Sequence, residues 1–190
     1  ITTTTGEIAL NVEPDLAEIR PVILGAVVRN VDYTSIGVSA DEFIKSLMDH
    51  QEKLHFALGR GRKRASIGVH DLAKLAPPFA VKAVSGDTEF TPLAATEPMS
   101  IKEIMAQHPK GIEYAHLLSE FDRYPIILDA ENNVLSFPPI INGDHTTVTK
   151  ETKDFFIDVT GWDIRACESS LMLIALQLQE YGGCLLYTSP

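Results

Sequence analysis

A double proline at Pro138-Pro139 constrains everything from Ser136 to Gly161, which reads SFPPIINGDHTTVTKETKDFFIDVTG. Proline cannot occupy a helix interior and biases the residue before it toward extended backbone, so an extended segment is expected here. Ile140-Ile141 should then be buried, and Asn142-Gly143 should turn the chain. After a Thr-rich polar run, Phe155-Phe156-Ile157-Asp158-Val159-Thr160 reads as a strand. Alternation puts Phe156, Asp158 and Thr160 on one face. A carboxylate and a hydroxyl two residues apart, beside an aromatic ring, suit a pocket for a polar ligand. A strand end whose Asp and Thr cap the next turn is the alternative, and both stay open at this point.

The rest of the chain alternates strands and helices. Val22 to Val31 is a strongly apolar strand after Pro21. Ser39 and Glu42 form an S-x-x-E capping box. The helix behind it carries Phe43, Leu47, Leu54 and Leu58 on one face and stops at Gly59. Ser66 to Val69 and Phe79 to Val84 are strands. Ser100 and Glu103 open a second capped helix that His108-Pro109 ends. Ile126 to Leu128 and Val134 to Ser136 are strands joined by a polar loop. Asp163 starts a last helix with Ile164, Cys167, Leu171, Ile174 and Leu178 on one face, and Gly182-Gly183 ends it. This is a mixed α/β domain whose sheets carry helices on an outer face.

At 190 residues the chain suits one domain with a sizeable core. Its net charge of −10 argues against a general nucleic-acid coat. One basic run stands apart: Arg60, Arg62, Lys63 and Arg64 in GRGRKRA, either an RNA-backbone contact or a solvated turn. No apolar run reaches the ~20 residues of a membrane helix. Cys167 and Cys184 give neither metal-ligand spacing nor a disulfide framework, so a reducing cytoplasm is expected. Cys167 falls at a core position of the last helix. The six histidines are scattered without ligand spacing, so no metal is expected; His70, in GVHDL, either faces a pocket or is a hydrogen-bonded strand end. There is no G-x-S-x-G nucleophile motif and no Walker loop.

The run Ser136 to Gly161 resembles the beta subunit of phenylalanyl-tRNA synthetase of the archaeal and eukaryotic type. RPVILGAVVRNV (Arg20 to Val31), IKSLMDHQEKLHFALGRGRKRASIGVHDL (Ile44 to Leu72) and KGIEYAHLL (Lys110 to Leu118) extend the resemblance over nearly all of residues 1–183. It implies the B3/B4 editing module of that subunit, with a layered β-β-α arrangement. By resemblance the module hydrolyses mischarged Tyr-tRNA(Phe) by water attack on the ester. Asp158, Thr160 and Ser136 are then the candidate catalytic residues. Leu128, Phe137 and Phe156 are candidate apolar walls, with Asn142 and Gly143 as donors near the ester. Arg60, Arg62, Lys63 and Arg64 are the candidate RNA contacts. The resemblance implies tRNA(Phe) and the synthetase alpha subunit as partners. No cofactor is expected in this segment, and ATP and Mg are expected only for the complete synthetase. A non-catalytic tRNA-binding or subunit-packing module is the competing reading.

The opening, ITTTTGEIALNVEP, has neither an initiator Met nor signal-peptide regions, so an internal piece of a longer chain is expected. The last residues, CLLYTSP from Cys184 to Pro190, read like a translated sequencing adapter. The domain is therefore expected to span 1–183, with 184–190 an adapter-derived tail whose Leu185, Leu186 and Tyr187 have no periodic partner.

Overall fold

The computed structural model describes residues 8–188. In chain order the regular elements are β1 (Leu10–Val12), β2 (Val22–Arg29), α1 (Ala40–Ala57), β3 (Ala65–Asp71), β4 (Phe79–Ser85), β5 (Glu89–Phe90) and β6 (Met99–Ser100). They continue as α2 (Ile101–Gln107), α3 (Pro109–Tyr114), β7 (Arg123–Leu128), β8 (Val134–Phe137), β9 (Ile141–Asn142), β10 (Phe155–Gly161), α4 (Ile164–Glu180) and β11 (Cys184–Thr188). Both capping boxes are present, Ser39 with Glu42 on α1 and Ser100 with Glu103 on α2.

Two sheets and a helical layer are stacked. The central sheet has the order β11-β2-β10-β3 and is antiparallel at each pairing. The outer sheet runs β1-β4-β7-β8-β9, parallel at β1–β4 and antiparallel beyond. Residue alternation in β10 sorts the interior into two cores. Phe155, Ile157 and Val159 pack with Phe43 and Leu47 of α1 and with Cys167, Leu171 and Ile174 of α4. Phe156 points the other way, against Phe79, Val81 and Phe137 of the outer sheet. The arrangement is the β-β-α layering that the resemblance implied.

Three expectations are corrected. The reversal near the double proline falls at Pro138-Pro139-Ile140, where Ile140 N donates to the Phe137 carbonyl at 2.8 Å. The prolines therefore make the turn, and Asn142 remains in β9, paired with Ser136. Gly143 is extended (φ −73°) and leads into a single helical turn at Asp144–Thr146. Of the two isoleucines, Ile140 is in the core while Ile141 is half-buried. Finally, the segment from Cys184 is not unpartnered: Leu185 pairs with Val28 along the free edge of β2 and packs on the helical core.

Candidate functional site

The site lies between the two sheets, where the facing surface of the central sheet turns polar. Along β3, Ser66, Gly68 and His70 alternate with the core residues Ile67 and Val69. The antiparallel register sets Ser66 opposite Thr160, Gly68 opposite Asp158 and His70 opposite Phe156. The first two pairs put small or polar residues along one strip of sheet, which Phe156 ends. Gly68 is required there, because an added Cβ would collide with Asp158 Oδ2 and lie 2.7 Å from His70 Nε2.

Above this strip is a cavity of about 210 Å³. Its floor includes Ser66, Gly68 and Asp158; Ser136 and Asn142 reach it from β8 and β9. Met48, Glu52 and Lys110 line the side nearer to solvent, and are exposed or half-buried, whereas Asp158 is 1% exposed. The volume is below the ~300 Å³ where pockets for drug-sized ligands begin, and suits a group about as large as one amino-acid side chain.

Asp158 is held by a buried chain of polar groups. His70 Nε2 is 2.6 Å from Asp158 Oδ2, and His70 Nδ1 is 2.8 Å from Thr146 Oγ1. Thr146 Oγ1 in turn is 3.3 Å from the Gly143 carbonyl. The His70 ring also stacks on Phe156, with centroids 6.1 Å apart. Asp158 Oδ1 has no hydrogen-bond partner among the described residues, and the same holds for the Ser136 hydroxyl and the Asn142 side chain. All three belong to residues that line the cavity.

Behind the floor sits Arg20, only 2% exposed. Its Nε donates to Thr160 Oγ1 (3.2 Å), and its Nη2 donates to Ser66 Oγ (3.0 Å) and the Thr160 carbonyl (2.6 Å). Burial lowers its pKa to about 10, so the guanidinium stays charged at neutral pH. The Cys167 thiol nearby is pushed up to about 11, chiefly by burial, and stays protonated.

Helix α1 closes the open edge of β3. Gln51 Nε2 donates to the Ile67 carbonyl at 2.7 Å, and Ile67 N donates to His55 Nε2 at 2.8 Å. This satisfies both edge groups of Ile67. Because Nε2 accepts, His55 is neutral with its proton on Nδ1. Burial lowers its pKa most, and Arg62 adds to that against the raising effect of Glu52. Nδ1 lies 3.5 Å from Glu52 Oε1, too far and too poorly aligned to count as a good bond; Arg62 Nη2, at 2.9 Å, is the close partner of that carboxylate.

The sequence candidates therefore separate. Asp158, Ser136, Asn142 and Gly143 line the cavity. Thr160 does not; it lies one step behind, bonded to Arg20 and Ser66. Phe137 and Phe156 are buried in the core beneath the site, and Leu128 packs against that core, so none of them forms a wall of the cavity. The four cations also divide. Arg62 turns inward: Nη1 donates to the Pro139 and Ile140 carbonyls (3.2 and 2.8 Å), and the guanidinium lies 4.3 Å from the Tyr114 ring centroid. Arg62 thus pins the proline turn and is not a surface cation. Arg64 pairs with Asp163, while Arg60 and Lys63 are exposed. Arg20, Ser66 and Gly68 went unnoticed in the sequence, although the polar–apolar alternation of Ser66 to His70 carries the same signal as Phe156 to Thr160. Among the described residues, no cluster of three or more His, Cys, Asp or Glu could hold a metal, and no helix is long and apolar enough to cross a membrane.

The family model for the B3/4 domain matches residues 21–177. The chain belongs to the B3/4 domain family. Its relatives include the phenylalanine–tRNA ligase beta subunit of Methanosarcina acetivorans, 52% identical over 177 residues. That match covers 93% of this chain and 31% of the relative. The beta subunit of Archaeoglobus fulgidus is 44% identical over 178 residues, covering 94% and 31% respectively. Among solved structures, an N-terminal fragment of the phenylalanyl-tRNA synthetase beta subunit from Pyrococcus horikoshii superposes with a TM-score of 0.90 at 35% identity. It covers 98% of this chain and 52% of that fragment. The chain thus spans about a third of the length of the curated relatives it matches, and this B3/4 domain has the fold of the half of the synthetase fragment that it covers.

Proposed function

We propose that this B3/4 domain is the editing module of a phenylalanine–tRNA ligase beta subunit, hydrolysing Tyr-tRNA(Phe) by attack of water on the aminoacyl ester. The observation that carries the reading is the small inter-sheet cavity with Asp158 at its floor, in a chain about half identical to such beta subunits. An editing site must accept a side chain because of its extra hydroxyl, which a pocket built for the smaller amino acid rejects only partly. A polymer stays outside so small a cavity, so the amino acid enters tip first past Met48, Glu52 and Lys110. Its tip then meets Asp158 Oδ1, a strong acceptor for a hydroxyl. The ester is left nearer the opening, where the Asn142 amide can donate to the carbonyl and hold a water beside it. An activated ester needs no covalent nucleophile, so the Ser136 hydroxyl acts by hydrogen bonding.

In this reading the partners are tRNA(Phe) and the ligase's alpha subunit, in the cytoplasm. Aminoacylation, with its ATP and Mg, belongs to the complete ligase. The test is deacylation of Tyr-tRNA(Phe) by the chain. Asp158→Ala is expected to slow it roughly ten- to hundred-fold, the loss of about 1–3 kcal/mol for a well-placed buried polar contact, with the circular dichroism spectrum unchanged. Equal rates for the parent and the variant would show that another part of the molecule does the chemistry.

A further inference from the structure

Deepening the editing reading, on which it rests, we infer that Ser66 is the residue that donates a hydrogen bond to the substrate's phenolic oxygen, and that Thr160, anchored by Arg20, positions it. Ser66 Oγ accepts from Arg20 Nη2 (3.0 Å), and Thr160 Oγ1 accepts from Arg20 Nε (3.2 Å). The two hydroxyl oxygens are 3.1 Å apart, so one donates to the other. Thr160 is 1% exposed and does not line the cavity; its proton has Ser66 Oγ as its acceptor among the described residues. Ser66 is then an acceptor twice over, and its own proton must go elsewhere. Its acceptor within the chain is the Thr160 carbonyl, a long bond at 3.5 Å to an oxygen that also takes Arg20 Nη2 at 2.6 Å. A phenolic oxygen in the cavity that Ser66 lines would be the better acceptor. A guanidinium cannot accept, so this polarity does not reverse.

Ser66 and Asp158 are diagonal neighbours across the β3–β10 pair, with only the bare Cα of Gly68 between them on that strand. One offers a proton and the other a lone pair. This is the complement of a neutral hydroxyl, which both accepts and donates. A phenylalanine side chain has no such group and would leave both unpaired in the deepest part of the site, a strong basis for rejection.

The experiment compares the chain with Ser66→Ala in deacylation of Tyr-tRNA(Phe) and Phe-tRNA(Phe). In parallel, affinity for the tyrosyl and phenylalanyl amides of adenosine, which cannot hydrolyse, is measured by titration calorimetry. Ser66→Ala leaves Arg20 Nη2 its bonds to the Thr160 and Arg62 carbonyls, so the fold is expected to persist. The tyrosine-over-phenylalanine ratio should fall roughly tenfold in both assays, through a loss for tyrosine and, with one unpaired donor gone, a smaller gain for phenylalanine. Thr160→Val should lower the ratio less, and Thr160→Ser should restore it. Equal losses for both amino acids would mean Ser66 is merely structural and would overturn the inference, as would an unchanged ratio. A parent chain that binds tyrosyl amide selectively but hydrolyses nothing would sink the editing reading, while the affinity ratio still decides for or against Ser66.

Discussion

Gly68 sets the geometry of the site by what it lacks. The Asp158 carboxylate and the His70 ring occupy the space where a side chain would start. Gly68→Ala must push one of them aside, and overpacking of this kind costs about 1–3 kcal/mol. The variant is expected to melt lower and to lose Tyr-tRNA(Phe) deacylation per folded molecule, since Asp158 is displaced from the floor. Ile157→Val, next to Asp158 on the opposite face of the sheet and outside the cavity lining, is the control. It should cost a comparable 0.5–1.5 kcal/mol, roughly, through lost packing, yet leave the rate per folded molecule alone. A Gly68→Ala protein with parental stability and rate would show that the close approach of Asp158 is not needed. At this scale the sequence was partly readable. Asp158 stood out as a carboxylate in an apolar strand, and His70 as a residue able to face a pocket. Their meeting at 2.6 Å was not readable, because it depends on the register of strands 88 positions apart in the chain. Arg20 is the plainer case. Beside Pro21 it looks like any surface cation, and only the Ser66–Thr160 pair, 140 residues away in the case of Thr160, explains its burial.

Among the elements, α1 does more than fill the core. It seals the edge of β3 through Gln51 and His55, and so gives a titratable group a structural bond. The sign of the pH effect follows. Burial lowers the His55 pKa in the folded chain, so the folded state binds this proton less readily than the unfolded chain does. The stability this contributes is complete above the unfolded value of roughly 6.5, and is lost as pH falls through that value toward the lower folded one. In His55→Gln the amide oxygen can accept from Ile67 N without titrating. The melting-temperature advantage of the parent over this variant is therefore expected to be constant above about pH 7.5 and to shrink between pH 7 and 5. A pH-independent difference would mean that His55 keeps its proton state on unfolding. Elements such as α1 and α2 were readable because caps and apolar spacing are local signals. The proline turn was not, since Pro138-Pro139 is compatible with either an extended run or a reversal. The choice is made by Arg62, which binds the Pro139 and Ile140 carbonyls from a distant loop.

For the molecule as a whole, electrostatics sets how far RNA binding can depend on the basic loop. The net charge of −10 repels phosphate in general. Of the four loop cations, Arg62 is committed to the interior and Arg64 to Asp163, which leaves Arg60 and Lys63 exposed. If these two steer a tRNA backbone, each phosphate contact contributes about 0.7–0.9 to the slope of log affinity against log salt. The double variant Arg60→Gln/Lys63→Gln should then flatten that slope by at most about 1.4–1.8 for tRNA(Phe). The change should be the same whether tyrosine, phenylalanine or nothing is esterified to the tRNA, because backbone contacts do not read the amino acid. In the proposed reading tyrosine selectivity should be untouched, since Ser66 and Asp158 lie at the cavity floor and neither Arg60 nor Lys63 lines the cavity. An unchanged slope would make the loop a solvated turn whose tasks are internal, among them Arg62's hold on the prolines and its carbonyl bond to Arg20. A slope change that tracked the attached amino acid would instead place the loop within reach of the ester.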